Sequence, residues 1–113
     1  MSDNALNVLT LATELESQLI QSLSVTASGS QLVLAPQLLS RFFEVLKEAT
    51  HYAQQEGFQR VALLCDPRIR RELRLLIERA YPQMPVLSYA EIAPGFFVQN
   101  VRTLDLESSI LPE

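Results

Sequence analysis

Residues 60–92 read RVALLCDPRIRRELRLLIERAYPQMPVLSYAEI, and the architecture is decided here. Val61, Ala62, Leu63, Leu64 and Cys65 are an unbroken apolar run, the pattern of a strand covered on both faces. Asp66 follows where an N-cap belongs, and Pro67 takes the first helical position, which needs no backbone N–H. Ile69, Leu73, Leu76, Ile77 and Ala80 recur at helical spacing and define a buried face. Tyr81-Pro82 ends the helix, because the residue before a proline is driven out of the α region. Pro85, Val86 and Leu87 predict a short extended segment. Ser88 and Glu91 then form a capping-box pattern, with Leu87 and Ile92 spaced as a hydrophobic staple. The stretch predicts a βαβ unit with a right-handed crossover.

Upstream, residues 6–11 predict a first strand, and Thr13 with Glu16 predicts a capping box opening the first helix. Leu15, Leu19, Ile20 and Leu23 form its apolar stripe. Residues 24–30 are small and polar and predict a turn, and residues 31–35 a short strand. Pro36 opens a second helix, whose broad apolar face runs from Leu38 through Phe42, Phe43, Leu46 and Ala49 to Ala53. Gly57 ends it. Downstream, Ala93-Pro94-Gly95 predicts a turn and residues 96–106 a last strand, with a bulge or edge position near Asn100. The pattern therefore predicts an α/β (or α+β) two-layer domain over residues 6–106. It would hold a mixed sheet of four to five strands and three main helices, with a flexible leader at residues 1–5 and a tail at 107–113.

At 113 residues, 48% of them hydrophobic, the chain is sized for one domain with a modest core. A net charge of −4 argues against a general nucleic-acid binder. The single cysteine excludes an internal disulfide and a cysteine-rich metal site. No apolar run is long enough to span a membrane, and the polar N-terminus is unlike a signal peptide.

The catalytic inventory is thin. His51 is the only histidine, and its place on the second helix suits a structural role. Neither Gly-x-Gly-x-x-Gly nor Gly-Lys-Ser/Thr occurs, and Ser88 lacks the flanking glycines of a nucleophile elbow. Asp66 stands where a receiver-like domain keeps its phospho-accepting aspartate. Strand 1, however, ends in Thr10-Leu11-Ala12 without the further carboxylates that hold Mg²⁺ there, so the N-cap reading is preferred. No cofactor is expected.

Charge placement is the chain's most unusual feature. Arg68, Arg70, Arg71, Arg74 and Arg79 are five of its nine basic residues and lie on one short helix. At 100° per residue Arg71 and Arg74 point away from the buried face, together with Leu75 and Glu78. One interpretation is a solvated face with Arg68–Glu72 and Arg74–Glu78 pairs. The sharper one is a docking face for an acidic partner, built from Arg68, Arg71, Arg74, Leu75 and Glu78. Neither Arg71 nor Arg74 is expected to matter to the core.

The Pro-x-Ile-Arg at Pro67, Arg68, Ile69 and Arg70, the arginine-rich helix and residues 85–92 (PVLSYAEI) resemble the C-terminal cytoplasmic part of the FlhA/SctV (LcrD, FHIPEP) family of flagellar and type III secretion export-gate proteins. Residues 6–11 (LNVLTL) with Leu15-Glu16 extend the resemblance over nearly the whole chain; Ala12-Thr13 replaces the Asp-Pro pair common in the family. The resemblance implies a non-enzymatic interaction domain of an inner-membrane protein, facing the cytoplasm. It implies a nine-subunit ring that receives the stalk protein of the export ATPase and chaperone–substrate complexes. The competing expectation is a small phosphorylation-regulated α/β module, STAS-like or receiver-like.

Overall fold

The computed structural model describes residues 5–107, with the elements β1 (Ala5–Leu11), α1 (Thr13–Gln21), β2 (Leu23–Thr26), β3 (Gly29–Leu32), α2 (Pro36–Gln55), β4 (Ala62–Cys65), α3 (Arg70–Ile77), β5 (Val86–Ser88) and β6 (Phe97–Leu104). One-turn 3₁₀ helices at Pro67–Ile69 and Tyr89–Glu91 follow β4 and β5. The expected leader and tail fall outside the described residues, except that Ala5 already belongs to β1 and Glu107 to the turn after β6.

The fold is α/β. β1, β4, β5 and β6 form a sheet in the order β5-β4-β1-β6, with every neighbouring pair parallel, while β2 and β3 form a separate antiparallel hairpin. Parallel strands need crossovers, and those crossovers cover the sheet. On one face Leu9, Leu11, Leu63, Cys65, Val86 and Leu104 meet Leu15 and Leu19 of α1, Phe42, Val45, Leu46 and Ala49 of α2, and Leu73 and Ile77 of α3. On the other face Val8, Ala62 and Leu64 pack with Leu6, Leu87 and Ile92. Ile92 sits there because the β5–β6 connection crosses that face. β4 is buried at all four positions, as its unbroken apolar run requires.

The βαβ reading of β4, α3 and β5 holds, and so does the capping box: the Ser88 N–H donates to the Glu91 carboxylate at 2.8 Å, and the Ser88 side chain accepts in return. α2 ends in a Schellman arrangement. The N–H groups of Gly57 and Phe58 donate to the carbonyls of Gln54 and Ala53, and Gly57 takes φ +90°. β6 is an edge strand, and its register against β1 slips at Val101, so that Val8 pairs with Asn100 but Leu9 with Arg102. The Thr10 hydroxyl, the Asn100 amide and the Thr103 hydroxyl form a closed hydrogen-bonded triangle at that bulge.

Four local expectations are corrected. Residues 24–30 are not a turn but most of a hairpin, whose reversal is confined to Ala27-Ser28; the second strand accordingly lies at Gly29–Leu32 rather than at residues 31–35. The Thr13/Glu16 capping box does not form: Ala12 is the N-cap with no side-chain bond, because Glu16 is turned to other donors. α3 is shorter than its apolar spacing suggests. The Ile77 carbonyl accepts from both Ala80 and Tyr81, the chain turns there, and Ala80 is exposed.

Candidate docking surface

The arginine-bearing segment leaves the carboxyl end of β4. Asp66 caps it, accepting from the Arg68 N–H at 2.8 Å, and the Arg68 guanidinium returns to the same carboxylate through Nε and Nη2, both at 3.0 Å. These donors hold the Asp66 carboxyl below its usual range, side-chain bonding from Arg68 being the main cause. The Asp66 N–H itself donates to Glu16 of α1 at 2.8 Å. That carboxylate also accepts from the Tyr89 hydroxyl, so α1, β4 and the turn after β5 meet at one group. Burial, then the bond to Glu16, pushes the Tyr89 phenol up to about 12.

Along the segment the arginines separate. Arg70 reaches the Val86 carbonyl and pairs with Glu91 at 3.4 Å. Arg74 donates from Nη1 and Nη2 to the carbonyls of Tyr81 and Pro82, at 3.2 and 2.9 Å, and so ties down the turn behind α3. The Arg68–Glu72 and Arg74–Glu78 pairs expected for a solvated face do not form: Arg68 is taken by Asp66, Arg74 by carbonyls, and Glu72 is buried, accepting from the Ser30 hydroxyl of β3. The expectation that Arg74 is structurally idle is therefore corrected. Arg71 and Arg79 are exposed and make no hydrogen bond or ion pair among the described residues. Leu75 is 47% exposed, and Glu78 is exposed beside it.

Of the five residues proposed from sequence, Arg71, Leu75 and Glu78 thus share an open stripe, while Arg68 and Arg74 are held by other bonds. Sequence reasoning missed Ser30 and Glu16. No local pattern signals either, since their partners lie 42 and 50 positions away.

The remaining reactive groups serve the fold. Cys65 is fully buried, and burial pushes its thiol up from 9.0 to about 12. Among the described residues no group of three His, Cys, Asp or Glu side chains is placed to hold a metal ion. An open groove of about 870 Å³ at the amino ends of β1 and β4, lined by Phe58, Tyr81 and Met84 among others, has Arg60 as its only charged lining residue among the described residues.

The sequence profile of the FHIPEP family matches residues 1–96. The chain belongs to that family. It is 30% identical over 105 residues to the flagellar biosynthesis protein FlhA of Bacillus subtilis (strain 168), covering 92% of this chain and 15% of that protein. The chain therefore spans about a seventh of the length of this curated relative. Its fold is similar to that of nonameric EPEC SctV-C, with a TM-score of 0.75 at 28% identity over 91% of this chain and 30% of that one. It is equally similar to a chain in the Chlamydia pneumoniae CdsV and CdsO protein complex, with a TM-score of 0.74 at 27% identity over 92% of this chain and 30% of that one. Among the described residues no helix of this export-gate family member is long and apolar enough to cross a membrane.

Proposed function

We propose that this chain is a non-enzymatic docking domain of a type III secretion or flagellar export gate. Residues 6–106 would act as one unit, on the cytoplasmic side of the inner membrane. There it would contribute to a homo-nonameric ring and receive export partners, the ATPase stalk and chaperone–substrate complexes, through α3. The observation that carries the reading is the open stripe of α3, where the Arg71 guanidinium, which bonds to nothing among the described residues, stands one turn from the exposed Leu75. An arginine fork suits carboxylates, and an apolar residue beside it gives a partner area to bury. The groups best suited to chemistry are meanwhile occupied: Asp66 by Arg68, Glu16 by Asp66 and Tyr89, and the Cys65 thiol by burial. The ring and partner proposals draw support from the similarity to a nonameric SctV-C and to a CdsV complexed with CdsO.

The test is the Arg71→Glu variant, titrated calorimetrically against the CdsO-type protein encoded in the same genome. Affinity is expected to fall at least about tenfold, because attraction becomes repulsion across the contact, with an unchanged thermal midpoint. Unchanged affinity would remove α3 from the docking role.

A further inference from the structure

The groove at the amino ends of β1 and β4 is a gap in the sheet. β6 pairs with β1 from Ala5 onward, where Ala5 meets Phe97, whereas β4 joins β1 only where Val8 meets Ala62. Ala5, Leu6 and Asn7 therefore have a strand on one side, and on the other they line the groove. The direction of their backbone groups follows from β4. The Leu63 N–H donates to the Pro85 carbonyl on the β5 side, so Ala62 turns its own groups to β1. In a parallel ladder those bonds go to the residues flanking its partner Val8, which are Asn7 and Leu9. By alternation Ala5 faces the same way. The Asn7 N–H and the Ala5 carbonyl thus open into the groove, with no backbone partner there among the described residues. The far wall offers no competing edge: Pro82 and Pro85 have no N–H, and their carbonyls already accept from Arg74 and Leu63. Phe58 and Tyr81 add half-buried aromatic surface to the lining. Arg60 is exposed and makes no hydrogen bond or ion pair among the described residues.

We infer that this gap binds a short extended peptide, which adds as a strand to the open edge of β1 and is uncharged except for one carboxylate set against Arg60. A peptide is singled out because the free groups are a backbone donor and a backbone acceptor at strand spacing, which an extended main chain matches. The edge from Ala5 to Asn7 takes three residues at roughly 3.3 Å each, and the groove of about 870 Å³ has room for their side chains. The single cation sets the charge. One carboxylate is matched, and a cation in its place is repelled. Apolar side chains at alternate positions of the peptide meet the aromatic lining. Neither Arg71 nor Leu75 lines the groove, so the inference stands apart from docking on α3.

The test uses the whole chain, ¹⁵N-labelled, and the acetylated, amidated hexapeptide VTVEVT as probe. The expected result is amide shifts at residues 5–7, 58–62 and 81–84. Affinity should be about fivefold lower in the Arg60→Gln variant, or with VTVQVT, as for one exposed ion pair. The same probe N-methylated on its two central residues, so that neither of its edges can pair, should not bind. Shifts elsewhere, no shifts at millimolar peptide, or equal binding by the N-methylated probe overturns strand addition. Unchanged affinity in Arg60→Gln, with an unchanged thermal midpoint, overturns the acidic occupant. Benzoate that shifts the same amides at lower concentration than the peptide overturns the peptide in favour of a small acid. Binding seen only after residues 1–4 are removed overturns it in favour of this chain's own start. The docking reading of α3 is judged separately, by the affinity of the Arg71→Glu variant for its protein partner.

Discussion

Arg74 donates to the carbonyls of Tyr81 and Pro82, whereas Arg71, three residues earlier, donates to nothing among the described residues. The two should separate under mutation. Arg74→Ala removes two hydrogen bonds to carbonyls at a helix end and is expected to cost about 1 kcal/mol. Arg71→Ala should stay within about 0.5 kcal/mol of the parent, as surface changes do. Urea denaturation of both variants checks the difference, and equal effects would contradict the assigned contacts. Cys65 belongs to the same scale. Its thiolate is disfavoured by burial, so a bulky thiol reagent at neutral pH should react only when the chain opens. Labelling as fast as in denaturant would show that β4 is not central. The alkaline limb of stability carries the same signature. Cys65 and Tyr89 both hold their protons to about 12 in the fold, against 9.0 and 10.0 in the free groups. Between those values the unfolded chain binds fewer protons than the folded one, so stability falls as pH rises. Tyr89→Phe should flatten the upper part of that fall in a pH series of thermal midpoints. Asp66 acts with the opposite sign. Its lowered carboxyl contributes stability above the free value of 3.8 that is lost as pH falls through the folded value.

At the scale of elements, the hairpin is attached to α3 through one polar bond, Ser30 to the buried Glu72, and through Leu32 in the core. Ser30→Ala leaves a buried carboxylate short of a donor and is expected to cost about 1–3 kcal/mol. Hydrogen exchange should then quicken in β2 and β3 before it quickens in β4; uniform acceleration would mean that the hairpin is not a separable unit. The turn after β5 depends on its capping box, and Ser88 is buried. Ser88→Ala is expected to lower stability by about 1 kcal/mol. The elements legible in the sequence share one property: their signals are local. Pro36 and Gly57 bracket α2, Asp66-Pro67 opens the segment into α3, and Ser88 with Glu91 closes the box. The hairpin was illegible because Ser24, Ser28 and Ser30 are turn-forming residues by composition. Ser30 is a strand residue through its pairing with Val25, and its hydroxyl is held by the distant Glu72. Glu16 misled for the same reason, since a carboxylate placed for a capping box finds better donors in Asp66 and Tyr89.

At the scale of the molecule, β6 is the exposed edge: Phe96, Phe97 and Val98 are open at its start. The bulge at Val101 breaks its flat run, and Arg102, stacked 4.5 Å over the Tyr52 ring, anchors it to α2. We therefore expect the isolated chain to sediment as a monomer or weak oligomer at micromolar concentration. The nonameric relative is a chain of which this one covers 30%. A stable nonamer from this chain alone would locate the ring contacts within it. The sequence by itself determined the alternation of helices and strands, the centrality of β4, the caps and the family, because each rests on neighbouring residues or on periodic apolar spacing. Only the tertiary structure decided the strand order, the hairpin and the fate of each charge on α3. An arginine's availability depends on which carboxylate or carbonyl comes within about 3 Å of it, and for Arg70 and Glu72 the deciding atoms arrive from other strands and turns.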